Sequence, residues 1–231
     1  MTLGKTDFTA PESIDWSDKG AVSKIKDQGQ CGSCWAFSTT GALESLDFLT
    51  HGKMRSFSEQ QLVDCDRGGH PIPFFLTNEG CGGGNMGWAM GYTKSKGVMS
   101  EADYPYEAVD RKSCDYDESK VVFANKNHHR VVPLCNSCLR NRVAEQPVSV
   151  AIDGEGIQHY QSGVFNGKCS FMTNHGVLAV GYGTDAGAAF WKIKNSWGAA
   201  WGEAGFLRMA RTDSIGTGMC GIATRACYPT M

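Results

Sequence analysis

A cysteine placed between glycines and an apolar helical pattern is the strongest chemical signal in the sequence. Cys34 ends the segment 28–34, which also contains Gly29 and Gly32. If Ser33 caps the following helix, Cys34 is its first residue, where the positive end of the helix dipole favours a thiolate. The glycines let the backbone approach a substrate and leave N–H groups free for a developing oxyanion. The segment therefore predicts a nucleophilic cysteine.

Two other interpretations of this segment remain open. Cys31 and Cys34 have the Cys-x-x-Cys spacing of a thioredoxin-like redox pair, although no strand of a βαβ unit precedes them. In an exported chain both cysteines are also candidates for structural disulfides. A nucleophilic cysteine needs a base, and histidine is the usual one.

His175 is the best candidate for that base among the six histidines of the chain. It directly precedes the apolar strand pattern 177–180, so we expect it at the mouth of a cleft. The Asn195 carboxamide is a candidate for orienting the imidazole, and Trp197 is placed to exclude water from their hydrogen bond. The remaining histidines lie in polar or turn-like surroundings typical of the surface: His51, His70, His128, His129 and His159.

Helical signals fill the first half of the chain, and strand signals fill the second. One helical pattern follows Ser33, a second begins with a capping box at Ser58 and Gln61, and a third covers 85–96, before Gly97. A short helix near 139–145 comes next. The predicted strands are 148–152, 177–182, 190–194 and 206–210. This order predicts an α+β fold in two lobes, with the boundary near 130–133.

Composition limits the class of protein. The 231 residues carry 22 Lys and Arg against 24 Asp and Glu, a formal charge of −2, which gives no basic face for nucleic acid. Hydrophobic residues make up 41%, which argues against disorder, and no window is apolar enough for a membrane span. Ten dispersed cysteines favour disulfides, and hence the secretory pathway, over a compact zinc site. No signal peptide is visible, so we expect a processed form.

Together these motifs resemble the papain family of cysteine endopeptidases, which includes the cathepsins and plant vacuolar proteases. The likeness extends from about residue 10 to residue 230, through the segments 14–16, 28–38, 80–84, 146–150, 174–176, 195–198 and 201–203. It implies a mature, cathepsin L-like domain. A mainly helical left lobe would cover 10–131, an antiparallel, β-barrel-like right lobe 132–231, and the active-site cleft would lie between them. Residues 1–9 would be a propeptide remnant or an addition to the natural chain.

The resemblance also implies a role for each residue of the site, in a reaction that hydrolyses peptide bonds through a thioester. Cys34 would be the nucleophile and His175 its acid and base, resting as a thiolate–imidazolium pair. Asn195 would orient His175, and Trp197 would shield their hydrogen bond. The Gln28 side chain and the Cys34 N–H would form the oxyanion hole. Neither a metal nor an organic cofactor is implied.

Substrate positions, disulfides and partners follow from the same resemblance. Gly83 and Gly84 would form a backbone strip that pairs with an extended substrate. The pocket for the second residue before the cut, P2, would be formed by Asn85, Met86, Ala151, Thr173, Asn174, Gly176 and Arg225. The implied disulfides are Cys31–Cys81, Cys65–Cys114 and Cys169–Cys220. The implied partners are peptide or protein substrates, an inhibitory propeptide and cystatin-type inhibitors, for a monomer in a lysosome, in a vacuole or outside the cell.

Three cysteines and one segment depart from the family pattern. Cys135, Cys138 and Cys227 have no family role, and we expect either that Cys227 pairs with one of the other two or that all three are reduced, buried thiols. The segment between Cys65 and Cys81 is longer than in papain. Its apolar stretch 70–76 either packs on its own lobe or forms an exposed contact for a partner.

Arg225 departs from the apolar character expected of the P2 pocket. Met86 and Ala151 favour bulky apolar residues there. An inward-pointing Arg225 predicts added tolerance of acidic residues, whereas an outward-pointing one lies in solvent.

Two other functions differ in class from an endopeptidase. A catalytically silent binding protein is expected to lack the nucleophile or the base, and this chain has both Cys34 and His175. A peptide ligase or acyl transferase on the same scaffold would differ only in whether an amine or water accepts the acyl group, and the sequence leaves that choice open.

Overall fold

Within residues 9–67, 77–111 and 113–231, which the computed structural model describes, three α-helices lie in the first half of the chain and a fourth lies in the second half. They are α1 (Cys34–His51), α2 (Glu59–Cys65), α3 (Met86–Lys96) and α4 (Asn136–Glu145). The three early helices lie close to the positions that the sequence predicts. Within the described ranges, none of the helices combines the length and apolarity that crossing a membrane requires.

The strands form one large sheet and one two-stranded sheet in the described residues. They are β1 (Ile14–Asp15), β2 (Val98–Met99), β3 (Val121–Phe123), β4 (Asn127–Arg130), β5 (Val148–Ile152), β6 (Val164–Phe165), β7 (His175–Asp185), β8 (Ala188–Lys194), β9 (Phe206–Ala210) and β10 (Ala226–Thr230). The large sheet has the order β4-β10-β5-β7-β8-β9-β6, with β1 also paired to β7, and β2 pairs with β3. All its pairs are antiparallel except β6 with β9, so the second lobe is mixed at one edge.

Strands β5 and β9 have the predicted bounds, whereas β7 is longer than predicted and begins at His175. Helix α4 begins at Asn136, three residues before the predicted start, because the Cys135 sulfur accepts a hydrogen bond from the Cys138 N–H and caps the helix. The capping box at α2 is half formed. Ser58 accepts from the Gln61 N–H, but the Gln61 side chain accepts instead from the Met99 N–H at 2.7 Å.

Helix α1 lies between the lobes and is buried on nearly every side. Its polar side chains make this possible because they find partners in the facing strands. The Ser38 hydroxyl donates to the Val177 carbonyl at 2.7 Å, and the Ser149 hydroxyl donates to the Ser38 carbonyl at 2.8 Å. These bonds hold the helix that begins at Cys34 against the strand that begins at His175.

Hydrophobic packing joins the two halves of the chain as well as filling each of them. One core cluster lies within the large sheet and under α4, around Trp191 and Tyr182. A second cluster packs Trp35, Met86 and other helical side chains against Leu178 of β7. The large sheet also takes β1 from the N-terminal half. The division of the chain at 131/132 remains a prediction.

Four disulfides join cysteines in the described residues. Three of them are the pairs implied by the resemblance, Cys31–Cys81, Cys65–Cys114 and Cys169–Cys220. The fourth joins Cys135 to Cys138 across the start of α4. The expectation that Cys227 pairs with one of these two was therefore wrong, and so was the alternative of three reduced thiols. Cys227 is a free thiol buried in β10, opposite Arg130 in the sheet.

The apolar stretch 70–76 of the long segment between Cys65 and Cys81 lies outside the described residues.

Candidate active site

Cys34 is the first residue of α1, as the sequence predicts. Ser33 occupies the N-cap position, but its hydroxyl lies 2.6 Å from the Tyr106 hydroxyl and does not cap the helix. The Cys34 sulfur accepts a hydrogen bond from the Gly176 N–H at 3.3 Å. A Cβ at position 176 would lie 3.2 Å from the Trp35 Cα, so a glycine allows this close approach of β7 to the helix.

His175 reaches the same cleft from the start of β7 and is held on two sides. Its Nε2 lies 2.8 Å from Asn195 Oδ1, which also accepts the Ser196 N–H. A carboxamide oxygen can only accept, so Nε2 carries the proton and Nδ1 is the basic nitrogen. The Trp197 ring stacks on the imidazole at 4.6 Å and is itself met edge-on by Trp201 at 5.1 Å.

Burial disfavours the charged form of both the Cys34 thiol and the His175 imidazole. It raises the pKa of the Cys34 thiol, against hydrogen bonds from the Gly176 and Trp35 N–H groups that lower it. It lowers the pKa of His175 to about 4, with the bond to Asn195 acting in the opposite direction. Each charge alone is therefore penalised by burial.

The Gln28 carboxamide is fixed at both ends beside Cys34. Its Nε2 donates to the Cys31 carbonyl at 2.9 Å, and its Oε1 accepts from the Ser196 hydroxyl at 2.7 Å. The Gln28 backbone N–H also donates to the Ser196 carbonyl, and the Tyr106 hydroxyl donates to the Gln28 carbonyl. One N–H of the carboxamide remains to face the cleft. Neither Ser196 nor Tyr106 has a role that the sequence predicts, although Ser196 lies inside the segment 195–198 that resembles the family.

A buried ion cluster anchors the two segments that carry Gln28 and Asn195. Lys26 Nζ lies 2.9 Å from Glu44 Oε1 and 2.6 Å from Glu59 Oε1. Lys194 Nζ donates to the Ser23 hydroxyl, which in turn donates to Glu44. Burial alone would raise the pKa of Glu44, but the positive charges of Lys26 and Lys194 hold it below its ordinary value. No periodicity in the sequence points to this cluster, because three separate segments of the first half of the chain supply Lys26, Glu44 and Glu59, and the second half adds Lys194.

Gly84 lies directly over the indole of Trp35. A Cβ at position 84 would lie 2.5 Å from Trp35 Cδ2 and 2.6 Å from Asn78 Oδ1. Gly83 has a φ of +121°, a backbone conformation that favours glycine. This strip of backbone therefore requires glycine on packing and conformational grounds, and it lies along one wall of the cleft.

The cleft has a volume of about 870 Å³ and brings together the residues that the sequence points to. Thirteen of the fourteen predicted catalytic and substrate-binding residues line it: Gln28, Cys34, Gly83, Gly84, Asn85, Met86, Ala151, Thr173, Asn174, His175, Gly176, Trp197 and Arg225. Asn195 does not, because it is buried behind His175. Arg225 lines the cleft with an exposed side chain. Several further residues line the cleft without having been predicted to do so from the sequence, among them His128, Arg130 and Glu155.

A family model described as "Papain family cysteine protease" matches residues 10–230. The chain belongs to the papain family of cysteine proteases. Among its relatives, the oryzain beta chain of Oryza sativa subsp. japonica is 48% identical over 224 residues, which cover 95% of this chain and 46% of that protein. Vignain of Ricinus communis is 47% identical, over 96% of this chain and 60% of that protein. This papain-family chain thus spans about half the length of the curated relatives that it matches most strongly.

Solved structures share the fold over nearly the whole chain. The bromelain protease of Ananas comosus, in complex with the E64 inhibitor, has a TM-score of 0.86 and 42% identity, covering 96% of this chain and 99% of that one. The ragweed pollen allergen Amb a 11, solved in its proform, has a TM-score of 0.89 and 42% identity, covering 98% of this chain and 67% of that one. The papain-like, two-lobe α+β fold predicted from the sequence is confirmed.

Proposed function

We propose that this chain is the peptidase domain of a cysteine endopeptidase, which hydrolyses peptide bonds of protein substrates through a thioester acyl-enzyme. The main support is that Cys34 and His175 arrive from two separate elements to line one cleft, with Asn195 hydrogen-bonded behind the imidazole. The lobes carrying them would be residues 10–131 and 132–231.

In the acylation step, the Cys34 thiolate, whose proton already lies on His175 Nδ1 in the resting pair, attacks the carbonyl carbon of the scissile bond. The developing oxyanion is stabilised by the free N–H of the Gln28 carboxamide and by the Cys34 backbone N–H at the start of α1. The C–N bond then breaks, and His175 gives its proton to the leaving amine. The product of this step is a thioester at Cys34.

In the deacylation step, His175 takes a proton from a water molecule, which attacks the thioester carbonyl. The oxyanion forms again at the same donors, the C–S bond breaks to restore the thiolate beside the protonated His175, and the carboxylic acid leaves. Asn195 and Trp197 keep the imidazole in one orientation for both steps, so that the same nitrogen serves as base and acid.

The resting state would be a thiolate–imidazolium pair. Burial penalises each charge alone, but the mutual attraction of adjacent charges in a poorly hydrated cleft offsets that penalty. Asn195 contributes by accepting the Nε2 proton of the imidazolium. The two groups would titrate as one coupled unit with shared apparent pKa values.

Substrate would bind as an extended chain along Gly83 and Gly84, with the P2 side chain between Met86 and Ala151. Both of these side chains are largely buried and apolar, which favours a bulky apolar P2 residue. Arg225 would add tolerance of an acidic P2 residue.

An inhibitory propeptide and cystatin-type inhibitors are the expected partners of a monomeric enzyme. The proform of the ragweed allergen and the E64 complex of bromelain support a cleft that is closed by a propeptide and reacts with inhibitors. One relative of this chain is a KDEL-tailed cysteine endopeptidase of Arabidopsis thaliana. This likeness and the disulfides support a place in the secretory pathway, leading to a vacuole, a lysosome or the cell exterior.

Profiling a diverse peptide library with the native protein and with Cys34→Ala tests the function. We expect cleavage by the native protein and none by the variant, with E64 abolishing the native activity at one equivalent. Cleavage that survives in Cys34→Ala would refute the assignment of the nucleophile. A folded, reduced native protein that cleaves nothing would favour the binding-protein alternative. Transfer of the acyl group to added amines in preference to water would identify a ligase.

A further inference from the structure

Two arginines differ from all the others in the described residues. The chain has nine arginines, and seven of them form ion pairs with carboxylates: Arg55, Arg67, Arg111, Arg140, Arg142, Arg208 and Arg211. Arg130 and Arg225 have no carboxylate partner within residues 9–67, 77–111 and 113–231. Both are exposed, and both line the cleft.

The sheet places these two guanidinium groups on the same face. Arg130 of β4 lies directly opposite Cys227 of β10, so their side chains point to the same side. Arg225 precedes Cys227 by two residues, and its carbonyl accepts from the Ala151 N–H, so its backbone continues the sheet. Extending the alternation of β10 by one residue beyond its start at Ala226 puts Arg225 on the same side, at a diagonal cross-strand position for which the usual spacing is about 7–8 Å.

The surroundings of the two arginines suit a side chain that is apolar near its base and negative at its tip. Cys227 packs with Met86 and Ala151 in one hydrophobic cluster, which forms the floor beneath the arginines. Neighbouring like charges without a counterion repel each other, and a bound anion would remove that repulsion.

Other charges in the cleft do not cancel the positive charges of Arg130 and Arg225. Glu155 is the one carboxylate among the described residues that line the cleft, and neither Arg130 nor Arg225 forms an ion pair with it. It follows Gly154, which is packed against the His175 side chain. Burial, with help from Lys94 and His129, lowers the pKa of His128, so this neighbour of Arg130 is neutral at pH 7.

We propose that Arg130 and Arg225 together bind the carboxylate of a glutamate side chain at P2 of the substrate, and that glutamate is preferred there over its neutral isostere glutamine. This inference rests on the proposed peptidase function. Met86 and Ala151 cover the methylene groups of the glutamate, and the two guanidinium groups donate to its carboxylate oxygens. Arg130, which the sequence analysis assigned to no site, thereby becomes a determinant of specificity.

The test compares kcat/KM for two peptides that differ only in Glu or Gln at P2, with a third peptide carrying Leu as reference. The Glu/Gln ratio is measured for the native protein and for Arg130→Gln, Arg225→Gln, the double variant and Arg130→Lys. Because both peptides are cleaved by the same enzyme sample, the ratio does not depend on how much of a variant is correctly folded. Arg142→Gln is the matched control, since Arg142 pairs with Glu145 and does not line the cleft.

We expect a Glu/Gln ratio of about ten in the native protein. Each single Gln variant should lower it about threefold, the double variant should bring it to about one, and Arg130→Lys should keep most of it. The native ratio should also fall when salt is added, because exposed charges are screened. Arg142→Gln should leave the ratio unchanged.

A native ratio of one, or a ratio that Arg130→Gln leaves unchanged, would overturn the proposal. A loss in Arg225→Gln alone would overturn the shared role of the two arginines. Failure of the native protein to cleave even the Leu peptide would instead refute the proposed function, so the two failures are distinguishable.

Discussion

Replacing Ser196 by alanine tests how the oxyanion hole is built. Ser196 donates to Gln28 Oε1 at 2.7 Å and is buried with it. Without that bond, the carboxamide keeps its bond from Nε2 to the Cys31 carbonyl. If the carboxamide flipped, its oxygen would face the carbonyl oxygen of Cys31. The orientation of Gln28 should therefore be kept in Ser196→Ala, and only the rigidity of its side chain should fall. The cost is one neutral hydrogen bond, about 1 kcal/mol, or about a fivefold loss of kcat/KM.

Gln28→Ala should cost far more, because it removes the donor itself. Loss of one oxyanion-hole donor costs about 100-fold in kcat. On the Gln28→Ala background, Ser196→Ala should cost almost nothing further, because the two residues act through one carboxamide.

The assay is kcat/KM on one fluorogenic peptide, with active enzyme counted by E64 titration and folding checked by thermal unfolding. The reasoning is refuted if Ser196→Ala is as damaging as Gln28→Ala. A fivefold loss of kcat/KM on adding Ser196→Ala to Gln28→Ala would also refute this role, since Ser196 would then act through a group other than the Gln28 carboxamide.

Three further predictions concern stability and pH. Replacing Cys135 and Cys138 by serine should lower the free energy of unfolding by about 2 kcal/mol. Removing the Cys65–Cys114 disulfide, which has a sequence separation of 49, should lower it by about 4 kcal/mol, because closing a longer loop removes more entropy from the unfolded chain. Equal losses in urea unfolding would contradict this. Gly84→Ala should lower the free energy of unfolding by about 2 kcal/mol, since the new methyl group would overlap the indole of Trp35. An unchanged midpoint of urea unfolding would show that the backbone at Gly83 and Gly84 can shift. In Cys34→Ala, the fold favours the neutral form of His175, because burial lowers its pKa from 6.5 to about 4. The contribution of His175 to the free energy of unfolding is therefore fully present above pH 6.5, and up to about 3 kcal/mol is lost as the pH drops to about 4. A free energy of unfolding that stays constant between these pH values would refute the buried neutral imidazole.

Local patterns predicted the four α-helices, the four strands β5, β7, β8 and β9, and the candidate reacting residues Cys34 and His175. The helix after Cys34 and the strand after His175 have signals that depend only on neighbouring residues, and the structure places both close to the predicted bounds. The separation of these two residues in the chain does not by itself indicate contact. The resemblance to a family supplied that step.

Features that depend on long-range packing could not be predicted. Ser196 contacts Gln28 only when the two halves of the chain pack together, and Lys26 meets Glu59 only when segments 33 residues apart are brought together. The sequence near these residues has no pattern that predicts either contact. Arg130 was overlooked because it belongs to β4, a strand of polar residues that the apolar pattern did not reveal. The pairing of Cys135 with Cys138 was missed because several partners were compatible with the spacing, and only the cap of α4 brings these two sulfurs together.

The pH dependence of alkylation of Cys34 by iodoacetamide is the most direct test of the central claim, that Cys34 and His175 form one reactive pair. The native protein should react at a nearly constant rate from about pH 5 to about pH 8, because the imidazolium keeps the sulfur ionised. In His175→Ala, burial outweighs the backbone hydrogen bonds and holds the pKa of the thiol above its ordinary value of 9.0, so the reaction should begin only at alkaline pH. A native profile with a single rise at that high pH, unchanged in His175→Ala, would contradict the account.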